Sequence, residues 1–163
     1  EVPVTERLET LPRVRERLCD DQAVAAVVDL RFGPTWTIGE VGGRPAVTGT
    51  IEVDRRAGGP STEVVVERLL GLGVLLRIDP VPPDRAPAGR LGPDQAHLTI
   101  PVAITSTGRC DAHALADDKR SADYVAIVRV DGREHPADLS LDPASRPVAR
   151  AVVGRTCTEP ATG

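Results

Sequence analysis

The sequence predicts a mainly β protein: two immunoglobulin-like β-sandwich units in tandem, preceded by a short N-terminal helix. Three observations carry this. Val47 to Ile78 and Leu98 to Val130 echo one another about 51 residues apart, each running alternating strand, polar Gly- or Asp-rich middle, second strand. The apolar share is 40%, nearly all of it Val, Ala and Leu, with Phe32, Trp36 and Tyr124 as the only aromatic residues. That composition fills a sheet interior with small aliphatic groups and favours pleated structure over a helical bundle. Fifteen glycines and 15 prolines in 163 residues supply the turns that many short strands need. The length suits one ordinary domain or two small sandwich units and excludes a large multidomain enzyme. We divide the chain into an N-terminal β unit at 1–80, a Pro-rich linker or loop at 81–94 and a C-terminal β unit at 95–163.

Val4, Leu8, Leu11, Val14 and Leu18 recur every three or four residues, as on one helix face, with Thr5 and Thr10 as candidate caps. Pro12 makes the helix start near Thr10 or kink there, because proline lacks the backbone donor and clashes with the preceding turn. The apolar stripe is expected to cover one open end of the sandwich; docking on a partner or a membrane surface is the alternative. Ala23 to Phe32 reads as a buried strand, and a second follows through Trp36 and Ile38 after Gly33-Pro34. Gly42-Gly43 then turns the chain.

From Val47 the period of two is clear: Val47, Ile51 and Val53 face one way, Thr48, Thr50, Glu52 and Asp54 the other. Val64 to Leu70 and Val74 to Ile78 read as strands joined at Gly71-Leu72-Gly73, with a helix over Thr62 to Leu70 as the alternative that β-branched Val64-Val65-Val66 disfavours. Five prolines and two glycines in Asp79 to Pro93 mark the connection between the units. Leu98, Ile100, Val102 and Ile104 then alternate with Thr99, Pro101, Ala103 and Thr105, and the outward proline suits a sheet edge or a bulge. Tyr124 to Val130 is the expected partner strand. Asp131-Gly132 matches a two-residue hairpin turn needing positive φ, with Ala137 to Leu141 returning. Val148 to Val153 is a last strand or a single helical turn.

Charge narrows the function. With 24 acidic against 20 basic side chains and a net charge of −4, the chain has no long-range attraction for a polyanion. Three aromatic residues scattered along the sequence cannot build a base-stacking platform or a ring-lined sugar cleft. All but one of the basic residues are arginine and asparagine is absent, a bias attributed to genomic GC content. No run of about 18 apolar residues is present, so no transmembrane segment is expected. Gly71-Leu72-Gly73 and Gly42-Gly43 lack the further glycine and helix-opening context of a phosphate cradle.

The chain begins at Glu1 and contains no methionine, as expected of a processed or trimmed polypeptide. Cys19, Cys110 and Cys157 allow three single disulfides with one thiol left over. The favoured pair is Cys110 with Cys157, which would tie down the last segment. Such a bridge indicates a secreted or envelope-associated protein; the rival reading is a reduced cytosolic chain with three buried thiols.

The polar middle of the second echo holds the densest group of chemically capable side chains: Cys110-Asp111-Ala112-His113 and Asp117-Asp118-Lys119-Arg120. Preceded by an alternating strand and followed by another strand and a terminal Cys157, this pattern resembles a family of uncharacterised exported proteins from high-GC bacteria, over residues 95 to 157. The resemblance implies an envelope-associated, sandwich-like protein and no particular activity. Asp111, His113, Asp117, Asp118, Lys119 and Arg120 are the candidate binding residues. A copper or zinc site could recruit Cys110 and His113, with two residues between them, and His97 and His135, but a disulfide-bonded Cys110 has no thiolate to give. A catalytic reading, with Cys110 as nucleophile and His113 as base or with Asp117 and Asp118 as acid and base, lacks an orienting third group, and adjacent side chains on an extended chain diverge. The leading expectation is an extracytoplasmic, non-catalytic module that recognises another protein, without a cofactor. A metal-binding envelope protein and a small enzyme with an unrecognised site are the alternatives.

Overall fold

The computed structural model describes residues 10–117 and 120–158. It is mainly β, with nine strands in two antiparallel sheets and three helices among those residues: α1 (Thr10–Ala25), β1 (Val28–Phe32), β2 (Thr37–Val41), β3 (Arg44–Arg55), β4 (Val64–Gly71), β5 (Leu76–Pro80), β6 (Gly89–Leu91), β7 (His97–Ser106), α2 (Ala112–Asp117), β8 (Asp123–Val130), β9 (Arg133–Ser140) and α3 (Arg146–Thr158). One sheet runs β1-β3-β7-β5, with β2 also on β3; the other runs β6-β4-β8-β9.

The sheets form a sandwich-like pair around one apolar cluster, to which Ile51, Val53, Ile100 and Ile104 come from the first and Val64, Val66, Val128 and Leu139 from the second. The alternation read at Val47, Ile51 and Val53 is realised, all three being fully buried. Gly49 lies on the same inward face and is required there: a Cβ would sit 2.5 Å from the Trp36 ring. The space it leaves admits the chain's aromatic residues, for Phe32 meets Trp36 at 5.4 Å and Tyr124 at 5.5 Å, both edge to face. Residues scattered in sequence thus form one cluster, with Tyr124 in the core and the partly buried Phe32 and Trp36 packed against it.

The two expected units are not separate sandwiches. β3 pairs with β7, Ile51 opposite Ile100, and β4 pairs with β8, Val64 opposite Val130. Each echoed segment therefore gives strands to both sheets, β3, β4 and most of β5 from the first and β7 and β8 from the second, and β3 and β4 lie antiparallel beside β7 and β8. Strands whose inner faces bury only small aliphatic groups are too thin to close a core within one half, so pairing across halves supplies the missing width. The stretch 81–94 is correspondingly not a free linker: β6 lies within it and pairs with β4, with Gly89 packed against Ile100.

Several local expectations are corrected. The strand expected over Ala23 to Phe32 begins only at Val28, because α1 continues through Ala23 and Ala25, favourable helix residues. The helix closes through the bond from Ala26 N–H to the Gln22 carbonyl at 2.9 Å. Val4, Leu8 and Thr5 lie outside the described residues. Leu18 of the stripe is exposed, and α1 instead docks on β9 through Arg17 to Asp138 and His135 Nδ1 to Asp20 at 2.8 Å.

Val64 to Gly71 is a strand, and a bulge at Glu67 explains why its pattern was ambiguous. Val66 faces Val128 but Arg68 faces Ile127, so the inward positions are Val64, Val66 and Leu69, a spacing that is neither two nor 3.6. β7 lies between β3 and β5 rather than at an edge. Pro101 is tolerated because β5 stops at Pro80, opposite Val102. The Pro101 carbonyl turns to that side, accepting from Val81 N–H at 2.9 Å, and the missing proline donor faces the same way, away from β3. The hairpin at Asp131-Gly132 forms as expected, with φ of 48° and 79°. Val148 to Val153 belongs to neither a strand nor one turn but to the 13-residue α3, which packs on β3 and β7.

Candidate functional site

The Cys110–Cys157 disulfide forms, with Cα atoms 5.6 Å apart, and Cys19 is an exposed free thiol. It joins the segment leading into α2 to the last turn of α3. The polar middle expected as a loop is thus a short capped helix. Asp111 is its N-cap: its carboxylate accepts the Ala114 N–H at 2.9 Å and its carbonyl the Leu115 N–H at 3.1 Å. The Ala114 bond, and then the nearby Arg109 guanidinium, hold the Asp111 carboxyl below its ordinary range. His113 is exposed on α2. Asp117 ends that helix; its side chain, Asp118 and Lys119 lie outside the described residues. Arg120 has its Nε 3.8 Å from Asp123.

The imidazoles are not gathered. His97 bridges Asp54 at 2.6 Å and Glu52 at 3.0 Å on β3, His135 pairs with Asp20 of α1, and His113 stands on α2. With the Cys110 sulfur in a disulfide, the four residues of the metal alternative do not converge, and among the described residues no group of three or more His, Cys, Asp or Glu is arranged to hold an ion.

An ion network that sequence reading missed lies on the outward positions of β1, β3 and β7. Thr50 donates to one oxygen of Glu52 at 2.5 Å and Thr99 to the other at 2.8 Å. The Thr50 bond, with lesser help from Thr99 and His97, keeps the Glu52 carboxyl below 4.5. Asp54 is kept below 3.8, first by His97 and then by Arg31. Asp54, His97 and Thr99 are in the order carboxylate, imidazole, hydroxyl. Thr99 directs its proton to Glu52, however, so the array ties strands together rather than arming a nucleophile.

Recesses lie beside Val41, Arg77 and Ala103 and at two places along α3. On one side Leu75, Leu115, Val153, Gly154 and the Cys157 end of the disulfide line an apolar groove of about 340 Å³. Leu115 is 48% exposed there. On the other side Ser121, Asp123, Arg146, Pro147 and Ala151 line a polar cleft of about 560 Å³. Arg150 borders both. The floor of the cleft is held by backbone bonds: Leu72 N–H to the Asp123 carbonyl at 3.0 Å and Leu141 N–H to the Ala122 carbonyl at 3.1 Å. Gly73 allows that approach, since a Cβ would lie 2.6 Å from the Ser121 Cα.

The α3 wall is fixed by Asp142, whose carboxylate accepts the Ser145 hydroxyl at 2.5 Å and the Ala144 and Ser145 N–H groups at 2.8 and 3.0 Å. These bonds, the hydroxyl first, hold its carboxyl below the ordinary value. Ser121 is 2% exposed and its Oγ has no hydrogen-bond partner among the described residues. Sequence reading missed Ser121, Leu115, Arg146, Arg150 and Gly154. The available signal was the four-residue spacing of Arg146, Arg150 and Gly154, which is informative only once 146–158 is taken as a helix.

No helix among the described residues is long and apolar enough to cross a membrane. Comparison with family models, curated proteins and solved structures gives no match to this chain.

Proposed function

We propose that the protein is an extracytoplasmic, non-catalytic recognition module that binds another protein along α3. The observation that carries this reading is the pair of recesses on either side of Arg150, one apolar and one polar, on walls anchored by the disulfide, the Asp142 cap and the backbone bonds beneath Ser121. A preformed surface of this kind loses little conformational freedom when a partner docks. A sandwich suits the role, as in immunoglobulin-like modules, because rigid sheets present the elements at their ends. The disulfide supports an oxidising compartment, as does the resemblance of residues 95 to 157 to exported proteins.

Photo-crosslinking tests the proposal. A photoreactive residue at position 115 is compared with one at Arg133, the first residue of β9, opposite the far end of β8, in the cells that make the protein. The expected result is a discrete protein adduct from 115, absent from 133 and suppressed when Arg146→Glu is added. Absence of adducts from 115, or the same adducts from both positions, would overturn the reading.

A further inference from the structure

Building on the recognition surface just described, we infer that its occupant is an extended peptide segment of the partner carrying an apolar side chain and, two positions along, a carboxylate. Leu75, Leu115 and Val153 present an aliphatic lining with Arg150 at its border, so a branched aliphatic side chain is what it can bury. The second recess has the opposite chemistry. Arg146 and Arg150 stand one turn apart on the same wall, Arg120 immediately precedes Ser121, and Asp123 is the only acidic residue among the described residues of the lining.

Asp123 already has partners in Arg120 at 3.8 Å and the Ser140 hydroxyl at 3.1 Å. Arg146 gives its Nε–H to the Leu141 carbonyl at 3.0 Å, one of the five N–H donors of a guanidinium. The second, independent sign of a ligand is Ser121 in the wall of this cleft, whose buried hydroxyl has no partner among the described residues. Native proteins rarely leave such a group unsatisfied. A carboxylate suits the set because guanidinium forks and hydroxyls donate and it accepts. The positive end of the α3 dipole points the same way.

Spacing gives the sequence of the occupant. The α3 residues that line the two recesses are centred about six positions apart, roughly 9 Å at 1.5 Å per residue. An extended chain rises about 3.3 Å per residue, so two to three residues span that gap. Only a separation of two puts both side chains on the same face of a strand. The motif is therefore apolar, any residue, acidic.

The test is an amide chemical-shift titration of the isotope-labelled, disulfide-intact full chain with acetyl-Gly-Leu-Gly-Glu-Gly-amide. The same peptide with Gln for Glu, the same peptide with Gly for Leu, and inorganic phosphate alone are run alongside. The expected result is saturable shifts confined to residues 121–123, 115 and 146–158, with affinity falling roughly tenfold or more for the Gln peptide because a charge-assisted contact is lost. The Leu-to-Gly peptide weakens as well, and Leu115→Ser weakens binding of the Leu peptide alone. Equal affinity of the Glu and Gln peptides, phosphate matching the peptide, shifts mapping elsewhere, or no saturation with any peptide would each overturn the inference. A crosslink from position 115 that persists against a partner segment lacking this motif would sink the motif and leave the recognition role standing. Loss of the crosslink with that segment supports both, whereas absence of any crosslink from position 115 with the motif present would sink both.

Discussion

Breaking the Cys110–Cys157 bridge has a calculable cost. The cysteines are 47 positions apart, and the loop-closure entropy of the unfolded chain for a ring of that size is about 14 cal/mol/K, or about 4 kcal/mol at 25 °C. For a chain of 163 residues this corresponds to a fall in Tm of roughly 8–16 °C. The Cys110→Ser/Cys157→Ser double variant also loses sulfur packing, since Cys157 is partly buried against the core, so the reduced wild type is measured beside it. Urea and thermal unfolding at neutral pH give the midpoints. Hydrogen exchange gives the local effect, with protection falling first in the last turn of α3 and in α2, which the bridge joins. If reduction leaves the midpoint within about 1 kcal/mol of the oxidised protein, the bridge does not restrain the unfolded chain and the entropic reasoning is wrong. If exchange in α3 is also unchanged, the disulfide does not hold the apolar groove either.

Gly49→Ala is expected to destabilise by about 1–3 kcal/mol, because the added methyl meets the Trp36 ring at 2.5 Å; Gly39→Ala, with open space around it, is the urea-unfolding control and should change little. Ser121→Ala removes a buried hydroxyl without a partner among the described residues, so stability should hold or rise while affinity for the Leu-x-Glu peptide falls; a clear drop in stability would reveal a structural bond to that hydroxyl. Glu52 and Asp54 ionise at lower pH in the folded chain than in the unfolded one. The stability they contribute is therefore complete above their ordinary values of 4.5 and 3.8 and is lost as pH falls through the lowered folded values. Urea midpoints taken from pH 7 down to 3 should decline less steeply in Glu52→Gln and Asp54→Asn than in the wild type. Asp142→Ala should loosen the start of α3, seen as faster exchange over residues 146–150 and weaker peptide binding, with the sheets unaffected.

Much of the sheet structure was legible locally. The period of two over Val47 to Asp54 and Leu98 to Thr105, and the turn chemistry of Asp131-Gly132, depend on neighbours within a few residues, and there the structure agrees. Where a residue's meaning depended on distant partners, sequence reading failed. The bulge at Glu67 scrambled the period of β4, Pro101 indicated an edge that β7 does not have, and Val148 to Val153 was too short a window for α3. The same limit hid the candidate site: Leu115, Ser121 and Arg150 lie on different elements and carry no common spacing.

By itself the sequence determined that the chain is mainly β, that its interior is aliphatic, and that Cys110 and Cys157 are a sensible pair, because composition, alternation and turn residues act over short range. Only the tertiary structure decided that the two echoed halves interleave their strands rather than fold apart, and that Asp111 caps a helix. Strand pairing and groove formation are set by which apolar faces can be covered together, a balance of burial across the whole chain to which no local window has access.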